Sequence, residues 1–230
     1  MPAVSKIPSR RAFLLKLSAL LPALFAGAVE AQGAAVPAIA APPKTILFFG
    51  DSLTAGYGLD EPSTESYPAR LGEKLRMSYP TWKIINAGLS GETTSGGLRR
   101  IDWVLRQPVD IFFLALGGND GLRGIPTTVT KSNLEAIIVK VRAKNPKVAI
   151  VLAGMKMPSS MGTYATDFAA VYLAIAKADS AITLLPFLLE GVGGVPALNQ
   201  NDAIHPNPEG HRKVADHVWP VLEPLVKAAG

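Results

Sequence analysis

The sequence of 230 residues contains no cysteine. A thiol nucleophile, a disulfide, a cysteine-ligated metal site and a lipid-modified cysteine are therefore excluded. The sequence also lacks long charge runs, low-complexity tracts and internal repeats of solenoid or propeller period, so an extracellular structural or adhesion role has no support. With 48% hydrophobic and 18% charged residues, the chain can bury the core of one domain.

The body of the chain carries little net positive charge. The formal net charge is +5, but four basic residues against the single acid Glu30 supply +3 of it within residues 1–31. The remaining +2 forms no basic stripe. The sequence therefore predicts no nucleic-acid partner.

Residues 1–31 have the layout of a signal peptide. A basic stretch precedes the apolar run Leu17–Val29, which is too short to span a bilayer and is interrupted by Pro22. The segment Val29–Ala31 fits a small-x-small cleavage site, and cleavage after Ala40 is the alternative. A buried N-terminal helix or a membrane anchor is the competing interpretation. A mature protein without a transmembrane segment, periplasmic or secreted, is predicted.

The segment Ser9–Leu14 resembles the twin-arginine export motif, which implies passage through the twin-arginine export machinery after folding. Residues 32–43 are rich in alanine and proline, lack periodicity and indicate a linker. The folded domain is predicted over residues 44–230.

Near-continuous apolar runs alternate with helical patterns along the domain. Such runs are typical of parallel strands that are covered on both faces. Together they predict an α/β fold: a three-layer α/β/α arrangement around a five-stranded parallel sheet with flavodoxin-like strand order. The predicted strands are Thr45–Phe49, Trp82–Asn86, Asp110–Leu116, Lys147–Ala153 and Ala181–Phe187.

Four polar blocks follow predicted strands. Ligands of such sheets bind at the carboxyl ends of the strands. Ser52 lies between glycines just past the first strand, in a spacing that matches neither a nucleotide P-loop nor the Gly-x-Ser-x-Gly elbow. After the second strand, a glycine N–H of residues 88–91 can face the site. After the third, the Asn119 amide can donate to an oxyanion. Helix-capping or turn roles are the open alternatives for all three blocks.

The last block carries Asp202 and His205, three residues apart. On one loop, the carboxylate can meet the imidazole Nδ1–H and leave Nε2 to accept a proton from serine. The other two histidines, His211 and His217, lack metal-ligand spacing and are predicted to be surface residues.

The joint order of Ser, Gly, Asn and Asp-x-x-His resembles the SGNH/GDSL hydrolase superfamily over nearly the whole domain. Residues 50–57 and 116–124 are similar to the bacterial acyl-CoA thioesterase I, lysophospholipase and arylesterase subgroup. The resemblance implies Ser52 as nucleophile, His205 as general base and Asp202 as its orienter. It implies an oxyanion hole of the Ser52 N–H, the Gly91 N–H and the Asn119 amide, with Gly88 as a neighbouring candidate for the glycine. No metal and no cofactor are implied.

The activity implied is hydrolysis of aryl esters, lysophospholipids or acyl-CoA-like thioesters through an acyl-enzyme. Carbohydrate acetyl esters are the alternative substrates within the superfamily, and a non-catalytic binding protein is the alternative outside enzymes. The partner is therefore a small-molecule or lipid acyl ester. The loops after the third and fourth strands are predicted to border an acyl pocket, or merely to cover the sheet edge. Their apolar candidates are Leu122, Ile125, Met157, Pro158 and Met161.

Overall fold

The structure, a computed structural model, describes residues 42–229. The predicted signal peptide and residues 32–41 of the predicted linker lie outside the described residues. Five parallel strands form one sheet in the order β2-β1-β3-β4-β5, so the predicted flavodoxin-like topology is confirmed. The strands are β1 Lys44–Gly50, β2 Trp82–Gly88, β3 Ile111–Ala115, β4 Ala149–Ala153 and β5 Ile182–Leu185.

Eight α-helices connect and follow these strands in the described chain. Two short 3₁₀ helices, Ser159–Met161 and Pro196–Leu198, lie in the connections before α7 and α8. The α-helices are α1 Ser52–Ala55, α2 Pro62–Glu65, α3 Tyr67–Ser78, α4 Thr94–Val104, α5 Gly118–Leu122, α6 Thr127–Lys144, α7 Thr163–Ala178 and α8 Pro208–Ala229.

Successive side chains of β1 point to opposite faces of the sheet and contact different helices. The Phe48 ring packs edge-on against Tyr67 of α3, with centroids 5.6 Å apart. The Phe49 ring lies under the guanidinium of Arg100 in α4, 4.1 Å from the ring centroid. Helix α3 packs against α8, whereas α6 packs against both α4 and α7. The sheet therefore lies between two helical layers, as predicted.

A proline sets the end of α6, and an apolar stripe runs along α8. Helix α6 ends at Lys144, one residue before the Asn145-Pro146 pair, because a residue before proline avoids the α conformation. In α8 the apolar stripe continues at four-residue spacing to Val226, which is fully buried.

The ends of β1 and β2 leave no room for side chains. Gly50 and Gly88 are neighbours in the sheet. A Cβ at Gly50 would lie 2.0 Å from Oγ1 of Thr54, and one at Gly88 would lie 2.3 Å from the backbone nitrogen of Ala55. Helix α1 can therefore sit directly on the carboxyl ends of the two strands, which fixes the position of its first residue, Ser52.

Candidate active site

Ser52 is the first residue of α1 and follows β1 after a single residue, Asp51. Asp51 caps the short helix, because its Oδ1 accepts a hydrogen bond from the N–H of Leu53 at 3.1 Å. The helix ends at Gly56, whose φ of 78° permits the sharp reversal that follows. The hydroxyl of Ser52 is thereby presented at the carboxyl edge of the sheet.

The structure brings Ser52, His205 and Asp202 into one hydrogen-bonded series. Oγ of Ser52 lies 2.9 Å from Nε2 of His205, and Nδ1 of the same ring lies 2.6 Å from Oδ2 of Asp202. The serine precedes the histidine by 153 residues in the chain, so only the fold unites them. An imidazole held at Nδ1 by a carboxylate keeps Nε2 free to accept the serine proton.

Asp202 is held in its ionised form by its own loop. The N–H of His205 donates to its Oδ1 at 3.0 Å and the N–H of Ile204 donates to the same oxygen at 2.9 Å. The bond from the His205 N–H, together with the other bonds from His205 and Ile204, lowers the pKa of Asp202 to about 2. Ala203, with φ of 57°, makes the tight turn that lets one carboxylate meet both N–H groups and the ring.

The candidate oxyanion donors lie along the same cleft as Ser52. Within residues 42–229, the N–H groups of Ser52 and Gly91 donate to no protein acceptor. The N–H of Gly88, the neighbouring candidate, is already donated to Oδ1 of Asn86 at 2.9 Å. Gly91 is thus the glycine whose N–H is available to an oxyanion.

The Asn119 side chain does not bond to its own backbone, as the alternative turn role required. Its Nδ2 donates to Oδ2 of Asp51 at 3.5 Å, and the residue lines the cleft beside Ser52. A carboxylate can only accept, so this contact identifies the amide nitrogen as the group on the Asp51 side. Burial raises the pKa of Asp51 to about 6, against the opposing effects of the Leu53 N–H, His205 and Asn119.

Two buried polar clusters support the loops that carry these donors. Arg100 binds the buried carboxylate of Glu92 and donates to the carbonyls of Gly50 at 3.2 Å and Ala87 at 2.9 Å. The guanidinium therefore joins the ends of β1 and β2 to the residue that follows Gly91.

The second cluster joins α5 to α4. The fully buried Asp120 accepts from the N–H of Thr94 at 2.8 Å and from its hydroxyl at 2.5 Å. Thr130 of α6 donates to the same carboxylate at 3.4 Å. Asp120 thus fixes α5, the helix that carries the candidate oxyanion residue Asn119. The roles of Asp120 and Arg100 were not predicted from the sequence. The only signal of a buried role was that each charged residue lies within or next to an apolar segment.

A cleft of about 670 Å³ opens at Ser52. Three of the residues predicted to border an acyl pocket, Leu122, Met157 and Pro158, line it. Met157 packs against α5, where a Cβ at Gly121 would lie 2.3 Å from its Sδ. The loops after β3 and β4 therefore give the cleft an apolar surface at these three residues, beside Asn119 and Lys156.

The other two predicted pocket residues, Ile125 and Met161, do not line the cleft, which corrects that part of the prediction. The chain reverses at Gly124, with φ of 64°, and the Ile125 N–H and carbonyl bond to Asp120 and Tyr164. Met161 ends the 3₁₀ helix that carries the chain from Pro158 into α7. A position on a loop that borders the cleft therefore does not show whether the residue lines the cleft.

Sequence analysis missed several cleft residues that come from other loops. Tyr57 follows α1, and its ring centroid lies 4.8 Å from that of His205. Phe187 and Leu189 follow β5, and Ile204 lies on the histidine loop. A strand prediction that ran through Phe187 hid its role, because the observed strand ends at Leu185.

The two remaining histidines are not surface residues, which corrects their predicted role. His211 is buried, and its Nδ1 accepts a hydrogen bond from the N–H of Tyr67 at 3.2 Å. Burial lowers the pKa of His211 to about 4, with a further contribution from His205. His217 is half-buried, with its Nε2 3.0 Å from the carbonyl oxygen of Phe187. Both lie on the face of α8 that packs onto the domain.

Within residues 42–229, no helix combines the length and apolar character needed to cross a bilayer. The same part of the chain holds no group of three or more His, Asp or Glu side chains placed to bind a metal ion.

Comparison with known proteins identifies related sequences and a related crystal structure. Residues 48–213 match the model of the GDSL-like Lipase/Acylhydrolase family. The chain is 38% identical to Esterase TesA of Pseudomonas aeruginosa, over 80% of this chain and 90% of the relative. It is 36% identical to Thioesterase 1/protease 1/lysophospholipase L1 of Escherichia coli K12, over 81% and 87% of the two chains. A crystal structure of TesA superposes with a TM-score of 0.74 at 36% identity, over 79% of this chain and 99% of that one.

Proposed function

The chain belongs to the GDSL-like lipase/acylhydrolase family and is a serine hydrolase of ester or thioester bonds, and we propose that Ser52 is its nucleophile. In this proposal His205 is the general base and Asp202 orients it. The Ser52 N–H, the Gly91 N–H and the Asn119 amide form the oxyanion hole. The observation that carries the assignment is the series from Asp202 through His205 to Ser52, which opens on an apolar cleft.

In acylation, His205 transfers a proton from Ser52 to the leaving group. Nε2 of His205 accepts the proton of Ser52 Oγ as that oxygen attacks the carbonyl carbon of the substrate. The imidazolium, stabilised by the ionised Asp202, then donates the proton to the departing alcohol or thiol. In deacylation the same nitrogen accepts a proton from a water molecule as the water oxygen attacks the acyl carbon. It then donates that proton to Ser52 Oγ as the bond between Oγ and the acyl carbon breaks, which releases the acid and regenerates the Ser52 hydroxyl.

The oxyanion donors act on charge that appears only during attack. The residues proposed to supply the two backbone N–H groups and the amide N–H follow three different strands and line the cleft. Each such donor stabilises the transition state by about 3 kcal/mol, because it is already oriented when the charge forms. No cofactor takes part in these steps.

The substrates we propose are acyl esters with an apolar acyl group: aryl esters, lysophospholipids and acyl-CoA-like thioesters. The names of the two relatives, an esterase and a thioesterase/lysophospholipase, support these classes. The apolar wall of Leu122, Met157 and Pro158 supports an acyl chain longer than acetyl.

A fluorophosphonate probe and intact mass spectrometry test the assignment. The probe is expected to add one phosphonyl group to the wild-type protein, mapped to Ser52, and none to Ser52→Ala. Ser90→Ala is the matched control, because Ser90 also lines the cleft but lies outside the hydrogen-bonded series, and it should be labelled like the wild type. Labelling of Ser52→Ala would refute the assignment. Acetyl sugars hydrolysed faster than every p-nitrophenyl ester or acyl-CoA would favour the carbohydrate-esterase alternative.

We further propose that residues 1–31 direct export by the twin-arginine route and that the mature enzyme is periplasmic or secreted. The support is the arrangement of basic, apolar and small residues in that segment. N-terminal sequencing of protein from the periplasmic fraction should find a start after Ala31. Replacing Arg10 and Arg11 by lysine should block export, and an intact Met1 on cytoplasmic protein would refute the proposal.

A further inference from the structure

Tyr57 places an aromatic ring beside the proposed general base. Its ring centroid lies 4.8 Å from that of His205, and the two planes are tilted by 49°. Tyr57 is 53% exposed and lines the cleft. In the described part of the chain its hydroxyl has no hydrogen-bond partner. The ring thus has a free surface next to the site of proton transfer, and the core does not require it.

The backbone of Tyr57 is fixed from both sides of the site. Its N–H donates to the carbonyl of Ser52 at 3.0 Å, and its carbonyl accepts from Nε2 of Gln200 at 2.7 Å. The same Nε2 donates to the carbonyl of Pro206 at 3.0 Å, and the N–H of Gln200 donates to that of His205 at 2.8 Å. Gln200 therefore ties the Tyr57 segment to the histidine loop. These bonds hold the backbones of Tyr57 and His205 in a fixed relative position.

The chemistry of the reaction locates the leaving group. His205 Nε2 must donate its proton to the departing oxygen or sulfur, so that atom lies next to the imidazole when the bond breaks. A ring that borders the imidazole therefore also borders the leaving group. The apolar wall of Leu122, Met157 and Pro158 comes from other loops, after β3 and β4, and remains for the acyl chain.

We propose that Tyr57 determines leaving-group specificity, by packing its ring against aromatic leaving groups and thereby favouring aryl esters over alkyl esters. The inference rests on the proposed function of Ser52 and His205. Offset or edge-to-face contacts between aromatic rings are favourable beyond their buried area. A contact of this kind should raise kcat/KM for an aryl ester by about 3- to 10-fold.

Two acetate esters with different leaving groups isolate this effect. Phenyl acetate and hexafluoroisopropyl acetate release alcohols that ionise in a similar pH range, so they differ mainly in aromaticity. Both form the same acetyl-enzyme, so differences in kcat/KM report the acylation step. Tyr57→Ala should lower kcat/KM for phenyl acetate about 3- to 10-fold more than for the alkyl ester, and Tyr57→Phe should keep the wild-type ratio.

Leu89→Ala is the matched control, because Leu89 is 52% exposed after β2 but does not line the cleft. The ratio of the two esters should be unchanged in this variant, and thermal unfolding should show that all three variants are folded. An equal loss on both esters in Tyr57→Ala, or no loss, would overturn the role of Tyr57 while fluorophosphonate labelling of Ser52 persists. Absence of labelling in the wild type would instead refute the proposed function.

Discussion

The two halves of the site are built differently. The proposed oxyanion half, with Ser52, Gly91 and Asn119, rests on strand ends and helix starts supported by buried polar groups. Those groups are Asp51, Asp120 and the Glu92–Arg100 pair. The base half is an irregular loop in which the Asp202 side chain is 38% exposed and that of His205 is 15% exposed.

The difference follows from what each half must do. An oxyanion donor has to be in place before charge develops. Ser52 and Asn119 are only half-buried and Gly91 is exposed, so the buried polar groups behind them hold these donors in position. The base half has to exchange a proton twice and admit water, so it remains near solvent. Its order comes from short-range bonds: Asp202 accepts two N–H groups of its own loop, and Gln200 ties that loop to the Tyr57 segment. Exposure is therefore a poor guide to catalytic importance here.

The largest expected effect is that of a substitution in the exposed base half. Asp202→Asn leaves the loop in place but removes the negative charge and allows the wrong imidazole tautomer. We expect kcat at neutral pH to fall about 10⁴-fold, with little change in KM. Steady-state kinetics on a p-nitrophenyl ester measure it. A loss smaller than that of the oxyanion variant below would show that the exposed half does not orient the base.

The oxyanion half should give the next largest loss. Asn119→Ala removes a donor that bonds more strongly in the transition state than in the ground state. We expect kcat to fall roughly 10²–10³-fold while KM changes little. Asn145→Ala is the matched control, because its amide donates to the carbonyl of Val109, away from the cleft. An unchanged kcat in Asn119→Ala would remove that residue from the oxyanion hole.

Two buried groups behind the site, His211 and Asp51, should respond oppositely to acid. His211 is buried in its neutral form, so its stabilising contribution is complete above pH 6.5 and is lost as pH falls toward its folded pKa of about 4. Asp51 has a folded pKa of about 6, so its ionisation costs stability at neutral pH and that cost is relieved as pH falls toward 3.8. Each contribution is about 3 kcal/mol, and in the wild type they largely cancel.

Single variants should therefore separate the two contributions. Relative to the wild type, Asp51→Asn should lose about 3 kcal/mol of unfolding free energy between pH 7 and pH 4, and His211→Asn should gain a similar amount. Urea unfolding at the two pH values measures both, and the remaining carboxylates contribute equally to all three proteins. Parallel stability changes in the three proteins would contradict the assignment.

The base half was easier to predict from sequence than its surroundings. Asp202 and His205 are three residues apart, so one loop suffices to join them, and the sheet topology follows from the buried strands. The contacts made by Arg100, Gln200 and Tyr57 depend instead on which loops meet in space. The local sequence pattern does not show which loops contact one another in the folded protein. Ile125 and Met161 illustrate the same limit, because both lie on loops that border the cleft and neither lines it.

The smallest expected effect concerns the apolar wall and uses one of those wrong predictions as its control. Met157 lines the cleft and packs on α5, whereas Met161 lies four residues later and does not line it. Met157→Ala should therefore lower kcat/KM for long acyl chains relative to acetyl, by about fourfold for each methylene group of the substrate that the shorter side chain leaves in water. Met161→Ala, the same truncation in the same connection, should leave the chain-length profile unchanged. Hydrolysis of a p-nitrophenyl ester series from acetate to laurate measures both profiles. An equal loss on all chain lengths in Met157→Ala would mean that the methionine supports α5 and Asn119 rather than the acyl chain, which would move it into the oxyanion half.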